Sequence, residues 1–177
     1  MKTARFLLVC VALMLSAGCA RSQQPDHPAV LKTVEDYFTF HLGGHAIRLQ
    51  IAVTKPEMER GLMERRGLGR DDGMLFVFSE PQQMDFWMHD TPTALDIGFF
   101  DHDGRLEEIY QMQPFDETTT ASRSKDLQFA LEMNEGWFSD NGVKPDVQLD
   151  FAELDAALKA RGFEPKEVGL AEAAGAR

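Results

Sequence analysis

Cysteine is scarce in this chain. There are two, Cys10 and Cys19, and both fall within the first nineteen residues. If that start is removed on export, no thiol remains, so the fold stands without disulfides. Basic charge is also short, with 18 Lys and Arg against 29 Asp and Glu. A net charge of −11 argues against nucleic acid and anionic membrane surfaces as partners. No apolar run reaches the roughly 18 residues of a spanning helix. No phosphate-cradling glycine loop, dinucleotide fingerprint or recognisable Ser, Thr or Cys nucleophile context is present. Nothing in the pattern implies a cofactor.

What is present begins with an export signal. Lys2 and Arg5 precede the apolar run from Phe6 to Leu15, which is followed by Leu15-Ser16-Ala17-Gly18-Cys19. This resembles a bacterial lipoprotein signal, cut before a cysteine that becomes lipid-modified. The resemblance makes residues 1–18 the signal peptide and Cys19 the lipid attachment. Ser16 departs from the pattern, because such signals place a large aliphatic residue three before the cysteine. The alternative is simple secretion with cleavage after Gly18-Cys19-Ala20. Ala20, where inner-membrane retention would favour Asp, implies a lipid anchor at the periplasmic face of the outer membrane. Without Lys2 and Arg5 the balance becomes 16 basic against 29 acidic residues, about −13.

Residues 19–33 read as a tether, 34–162 as one domain and 163–177 as a C-terminal tail. The domain is organised around 73–100, with apolar runs Met74–Phe78, Met84–Met88 and Leu95–Phe100. These are separated by Ser79-Glu80-Pro81 and by Asp90-Thr91-Pro92-Thr93. Upstream, Phe38 to Val53 forms a hairpin about Gly43-Gly44, with Leu42 opposite His45. That register points His41 and His45 apart and argues against a metal pair. Thr54-Lys55-Pro56-Glu57 is a capping box that opens a helix running to Arg66. Downstream, Asp101-His102-Asp103-Gly104 turns the chain into a strand ending at Met112. A polar loop spans 114–126, and Leu127 to Met133 alternates as a strand. A last strand runs from Val143 to Phe151, and a helix from Ala152 to Arg161. The expectation is an α+β fold: a compact, mainly antiparallel, curved or barrel-like sheet of about seven strands with two or three short helices.

Gly61-Leu62-Met63 with Arg65, Gly73-Met74-Leu75-Phe76-Val77-Phe78 and Phe86-Trp87-Met88 come in one order. Thr91, Leu95-Asp96-Ile97, Phe99, Leu131-Glu132 and Gly136-Trp137-Phe138 follow. Together they resemble the domain-of-unknown-function 192 family (DUF192) over residues 39–151. The resemblance implies a compact α+β domain with a barrel-like sheet that often follows an export signal, and no established activity. His89-Asp90 stands where the family usually carries Lys-Asn, so a cation there needs a protonated imidazole. Pro145-Asp146 stands near its usual Gly-Asp.

Three sets of residues could carry function. The first is acidic: Asp90, Asp96 and Glu132, with Arg65 as counter-ion. If their strands are neighbours, Asp96 and Glu132 could meet as a catalytic acid/base pair in an envelope hydrolase. In the alternative, Asp96 caps backbone groups or pairs with Arg65. The second is Met84, Met88 and His89, a soft donor set for Cu(I). A Met-Phe-Met stripe at period two reads first as a core face. The third is a binding groove lined by Trp87, His89, Asp90 and Asp96, with Arg65 beside it, suited to a sugar, peptide or cationic ligand. Trp87 and Trp137 could equally close the ends of the sheet. The leading expectation is a non-catalytic binding or accessory module of the cell envelope, with an unknown envelope ligand or protein as partner.

Overall fold

A computed structural model describes residues 30–170. The signal, Cys19 and most of the tether lie outside the described residues. The hairpin forms as its turn dictates. Strands β1 (Phe38–Leu42) and β2 (His45–Ala52) pair with Leu42 opposite His45. Glu57 then reaches back to the amides of Val53 and Thr54 at 3.0 and 2.9 Å, starting helix α1 (Lys55–Arg60). The helix is a turn and a half shorter than expected. It ends at Gly61, whose φ of 46° no side-chain-bearing residue adopts cheaply.

Helix α1 is a crossover, so β2 and β3 (Asp72–Gln82) run parallel. Strand β3 continues straight through Ser79-Glu80-Pro81, where the sequence suggested a break. Its pairing to β8 (Leu127–Asn134) jumps from Val77–Phe129 to Gln82–Leu127, so Pro81 lies where no ladder amide is needed. Gln128 fills that bulge, donating from Nε2 to the Phe78 carbonyl at 3.1 Å and the Gly169 carbonyl at 3.3 Å.

The expected strand Met84–Met88 shrinks to β4 (Asp85–Phe86), which leaves the main sheet. It pairs with β7 (Thr120–Ala121), inside the loop expected to be irregular. Strand β5 (Leu95–Asp101) pairs with β8 on one side and β6 (Leu106–Met112) on the other. The result is a six-stranded mixed sheet in the order β1-β2-β3-β8-β5-β6. Its outer strands, β1 and β6, do not pair with each other, so the sheet is open and not closed into a barrel. The α+β class stands.

The expected last strand from Val143 to Phe151 is instead a loop that touches the sheet through one bridge, Arg105–Gln148. Asp150 caps the amides of Ala152 and Glu153, and Phe151 therefore opens helix α3 (Phe151–Ala160). Helix α2 is the single turn Trp137–Asp140. Residues 163–170 are packed onto the domain. Val168 is buried and Phe163 and Leu170 lie against the core.

Both faces of the sheet are covered. On one, Leu49, Leu75, Phe129, Leu131 and Met133 meet α2 and α3 through Phe138, Leu154 and Leu158. On the other, Met74, Phe76, Ile97, Phe99 and Ala130 meet Leu62, Met84 and Met88. This double cover explains why β5 is buried along its whole length. The α2/α3 face is called the helical face below, and the other the α1 face.

Candidate functional site

The register of two strands decides what the carboxylates can do. Asp96 pairs with Met133, and Ile97 pairs with Glu132. Paired residues project to the same side of a sheet and successive residues to opposite sides. Asp96 therefore points to the helical face and Glu132 to the α1 face. The strands are neighbours, as an acid/base pair requires, but the sheet itself separates the two groups.

Asp96 is buried and serves helix α2. Its Oδ2 accepts from the Gly136 amide at 2.9 Å, while Oδ1 is buried without a partner. Burial pushes its carboxyl above the ordinary carboxylate value; the Gly136 and Phe138 amides oppose this, and Glu135 and Asp140 add to it. Glu132 lies in a cross-strand row of Gln50, Met74, Glu132 and Ile97. It makes no hydrogen bond or ion pair among the described residues, and desolvation alone pushes its pKa up to about 8. That value favours the protonated, neutral acid at pH 7. Gln50, next but one in that row, also buries an unpartnered side-chain oxygen. Gly73 makes the close packing beside Glu132 possible, because a Cβ there would fall 2.4 Å from the Glu132 carbonyl oxygen.

Arg65 is not the counter-ion of either group. Its guanidinium donates to Glu35 at 2.6 Å, and Gln50 Nε2 contacts the same carboxylate oxygen at 3.5 Å. The copper set does not converge either. Met84 and Met88 are buried in the α1-face core. His89 turns outward, with Nδ1 2.9 Å from Glu117 and Nε2 3.4 Å from Asp90. Trp137 is structural: it is buried, and its indole N–H donates to Asp71 at 3.0 Å.

Trp87, His89 and Asp90 do come together, without Asp96. Trp87 is half exposed and stacks on the His89 ring at 5.0 Å, with 22° between the planes. The Glu117 contact raises the imidazole pKa above its ordinary value; burial opposes this and Asp90 reinforces it. The segment is tied to the 113–117 loop by Met88 N–H to the Asp116 carbonyl at 2.9 Å and Phe115 N–H to the Thr91 carbonyl at 3.1 Å. Phe115, 62% exposed, is thereby held at φ 59°, and Asp90 at φ 50°. Glu64, at φ 62°, donates its amide to Asp90 at 2.7 Å. Three left-handed residues other than glycine thus meet on one surface, a local cost of about 1 kcal/mol or more each. Two exposed aromatics, Trp87 and Phe115, stand on these tied segments, with Asp90 and Glu117 on the His89 ring. Phe115 and Glu117 escaped the sequence reading. The available signal was that Phe115 is the sole aromatic in the polar stretch 113–126.

The family model described as DUF192, Uncharacterized ACR, matches residues 38–151. This chain belongs to DUF192. The match spans both sheets and reaches the first residue of α3, so the DUF192 domain includes every candidate group except the lipid-attachment Cys19. Among solved structures, the chain is similar to a candidate transcription regulator from Sinorhizobium meliloti 1021. That match has 31% identity and a TM-score of 0.60, covering 64% of this chain and 91% of the other. It is equally similar to a protein of unknown function from Novosphingobium aromaticivorans DSM 12444. There the identity is 31% and the TM-score 0.60, with 68% of this chain and 91% of the other covered. No curated protein matches this DUF192 chain.

Proposed function

We propose that this DUF192 protein is a non-catalytic binding module of the cell envelope that recognises a cationic segment of a partner through Trp87 and Phe115. The observation that carries this reading is the pair of exposed aromatics, Trp87 and Phe115, on segments tied by backbone hydrogen bonds, with Glu117 and Asp90 on the His89 ring that Trp87 stacks against. An exposed indole face attracts Lys and Arg side chains by about 0.5–1 kcal/mol, and more where water is excluded. Flanking carboxylates and a net charge of −11 favour the same partners and disfavour nucleic acid. For that reason the regulator label of the Sinorhizobium protein is not carried over. Export and lipid anchoring through Cys19 rest on the signal-like start, and would hold the module at the periplasmic face of the outer membrane. The hydrolase reading loses its support, because Asp96 and Glu132 stand on opposite faces of the sheet.

The test is emission from Trp87 as the full chain is titrated with acetyl-Lys-Lys-Lys-amide. Trp137 is buried, so Trp87 dominates the solvent-sensitive signal. Trp87→Leu, which leaves every charge in place, is expected to weaken binding, followed by NMR, about two- to fivefold. Equal affinity of both proteins would mean diffuse charge attraction and would sink the aromatic site. A pH series gives a second check. Protonated His89 is a competing cation on the same carboxylates, so binding should tighten as pH rises through its elevated pKa. His89→Gln should remove that dependence.

A further inference from the structure

Strand β6 forms one edge of the main sheet, and β5 is its single partner there. Its first residue is covered by the 143–149 loop. Leu106 N–H donates to the Val147 carbonyl at 2.8 Å, and Asp146 N–H donates to the Leu106 carbonyl at 2.9 Å. Beyond Leu106 the cover stops. Among the described residues, none hydrogen-bonds to the outer backbone edge from Glu107 to Met112. An unpaired edge is a template for another strand.

A cleft of about 350 Å³ lies beside this edge on the helical face, walled by Ile109, Gln111, Phe138 and Val143. Asp96 lines its inner end. That residue is 3% exposed, and its Oδ1 is buried with no hydrogen-bond partner. A carboxylate oxygen buried without a donor is costly, and a cation entering the cleft would supply the missing donor. Glu135 and Asp140 act on Asp96 with the same sign and deepen the negative potential. Lys144 is exposed and, among the described residues, is the one Lys or Arg lining the cleft. The apolar walls with an acid at the end match a side chain with an alkyl stem and a charged head.

We propose that β6 is a strand-addition site: an extended partner segment pairs with its edge between Glu107 and Met112 and seats a Lys or Arg side chain in the cleft against Asp96. Main-chain pairing supplies affinity, and the alternate side chain that enters the cleft supplies selectivity. A second copy of this chain is the poorer occupant. Its β6 edge carries Glu107 and Glu108 and no Lys or Arg, so it offers no cation to Asp96. This site is independent of the Trp87 surface, which overlies the opposite face of the sheet.

The test is NMR of the full chain with the peptide acetyl-Val-Thr-Lys-Thr-Val-amide. Two control peptides carry norleucine in place of Lys, or N-methyl groups on the backbone. The expected result is shifts at Ile109, Gln111 and Gly136, with slowed hydrogen exchange of the outer β6 amides. Norleucine should weaken binding at least tenfold, and N-methylation should abolish it. Asp96→Asn keeps an acceptor for the Gly136 amide and should also weaken binding about tenfold, while Trp87→Leu should leave this site unchanged. No binding of the lysine peptide at millimolar concentration would overturn the proposal. So would equal binding of the norleucine or N-methyl peptide. Shifts confined to Trp87–Asp90 would overturn it as well, while leaving the aromatic surface in place.

Discussion

Replacing Glu132 with Gln should stabilise this protein at alkaline pH and have little effect in acid. The carboxyl is buried without a partner on the α1 face, and its folded pKa is about 8 against an ordinary 4.5. Between those values the folded state holds a proton that the unfolded chain releases. Its contribution is therefore fully present below about pH 4.5 and is lost as pH rises toward 8. Each unit of pH across that window costs about 1.4 kcal/mol at full differential protonation. Glutamine keeps the shape and removes the titration. The difference in unfolding free energy between Glu132→Gln and wild type should thus grow with pH, reaching a few kcal/mol by pH 8. Denaturant melts at pH 5, 6.5 and 8 measure it. A difference independent of pH would mean that Glu132 has a partner in solution.

The second large effect lies at Arg161, the C-cap of α3. Its buried guanidinium bonds to both carboxylate oxygens of Glu57 and to the Ile51 carbonyl, and lies over the Phe163 ring at 5.2 Å. One side chain therefore joins α3, α1, β2 and the 163–170 segment. Burial would raise the Glu57 carboxyl, but hydrogen bonds from Arg161 and the Thr54 and Val53 amides hold it below its ordinary value. Removing one member of such a pair leaves the other charge uncompensated, so Arg161→Ala should cost about 3–5 kcal/mol. The lost stem packing acts in the same direction. Because a lowered carboxyl pKa stabilises above the unfolded value, this contribution should fade in wild type as pH falls below about 4.5. Thermal unfolding checks both points. Adding Glu57→Gln to Arg161→Ala should recover part of the loss. A double variant less stable than Arg161→Ala would contradict the uncompensated-charge explanation.

Local rules carried much of the fold in the sequence. Gly43-Gly44 sets the β1–β2 register, Thr54 to Glu57 caps α1, and Asp101 accepts the amides of Asp103 and Arg105 to close the next hairpin. Each of these depends on residues within a few positions of one another. The errors arise where distant segments decide. Pro81 reads as a breaker, yet a bulge against β8 lets β3 continue past it. Phe151 fits the alternation of a strand, yet the cap at Asp150 makes it helical. For the site, period-two alternation correctly turns Asp96 away from Leu95 and Ile97, and Glu132 away from Leu131 and Met133. Whether the two acids meet depends on the β5–β8 register, where a slip of one residue reverses the answer. That register is set by long-range packing and has no local signature.

Asp96 and Glu132 stand on opposite faces of the sheet and should titrate independently. The direct measurement is the carboxyl titration of Glu132 by carbon-detected NMR, in wild type and in Asp96→Asn. The Glu132 midpoint should be elevated and the same in both proteins, because the sheet lies between the two groups. A midpoint that falls by one unit or more when the Asp96 charge is removed would show that the carboxyls are coupled. It would restore the acid/base reading.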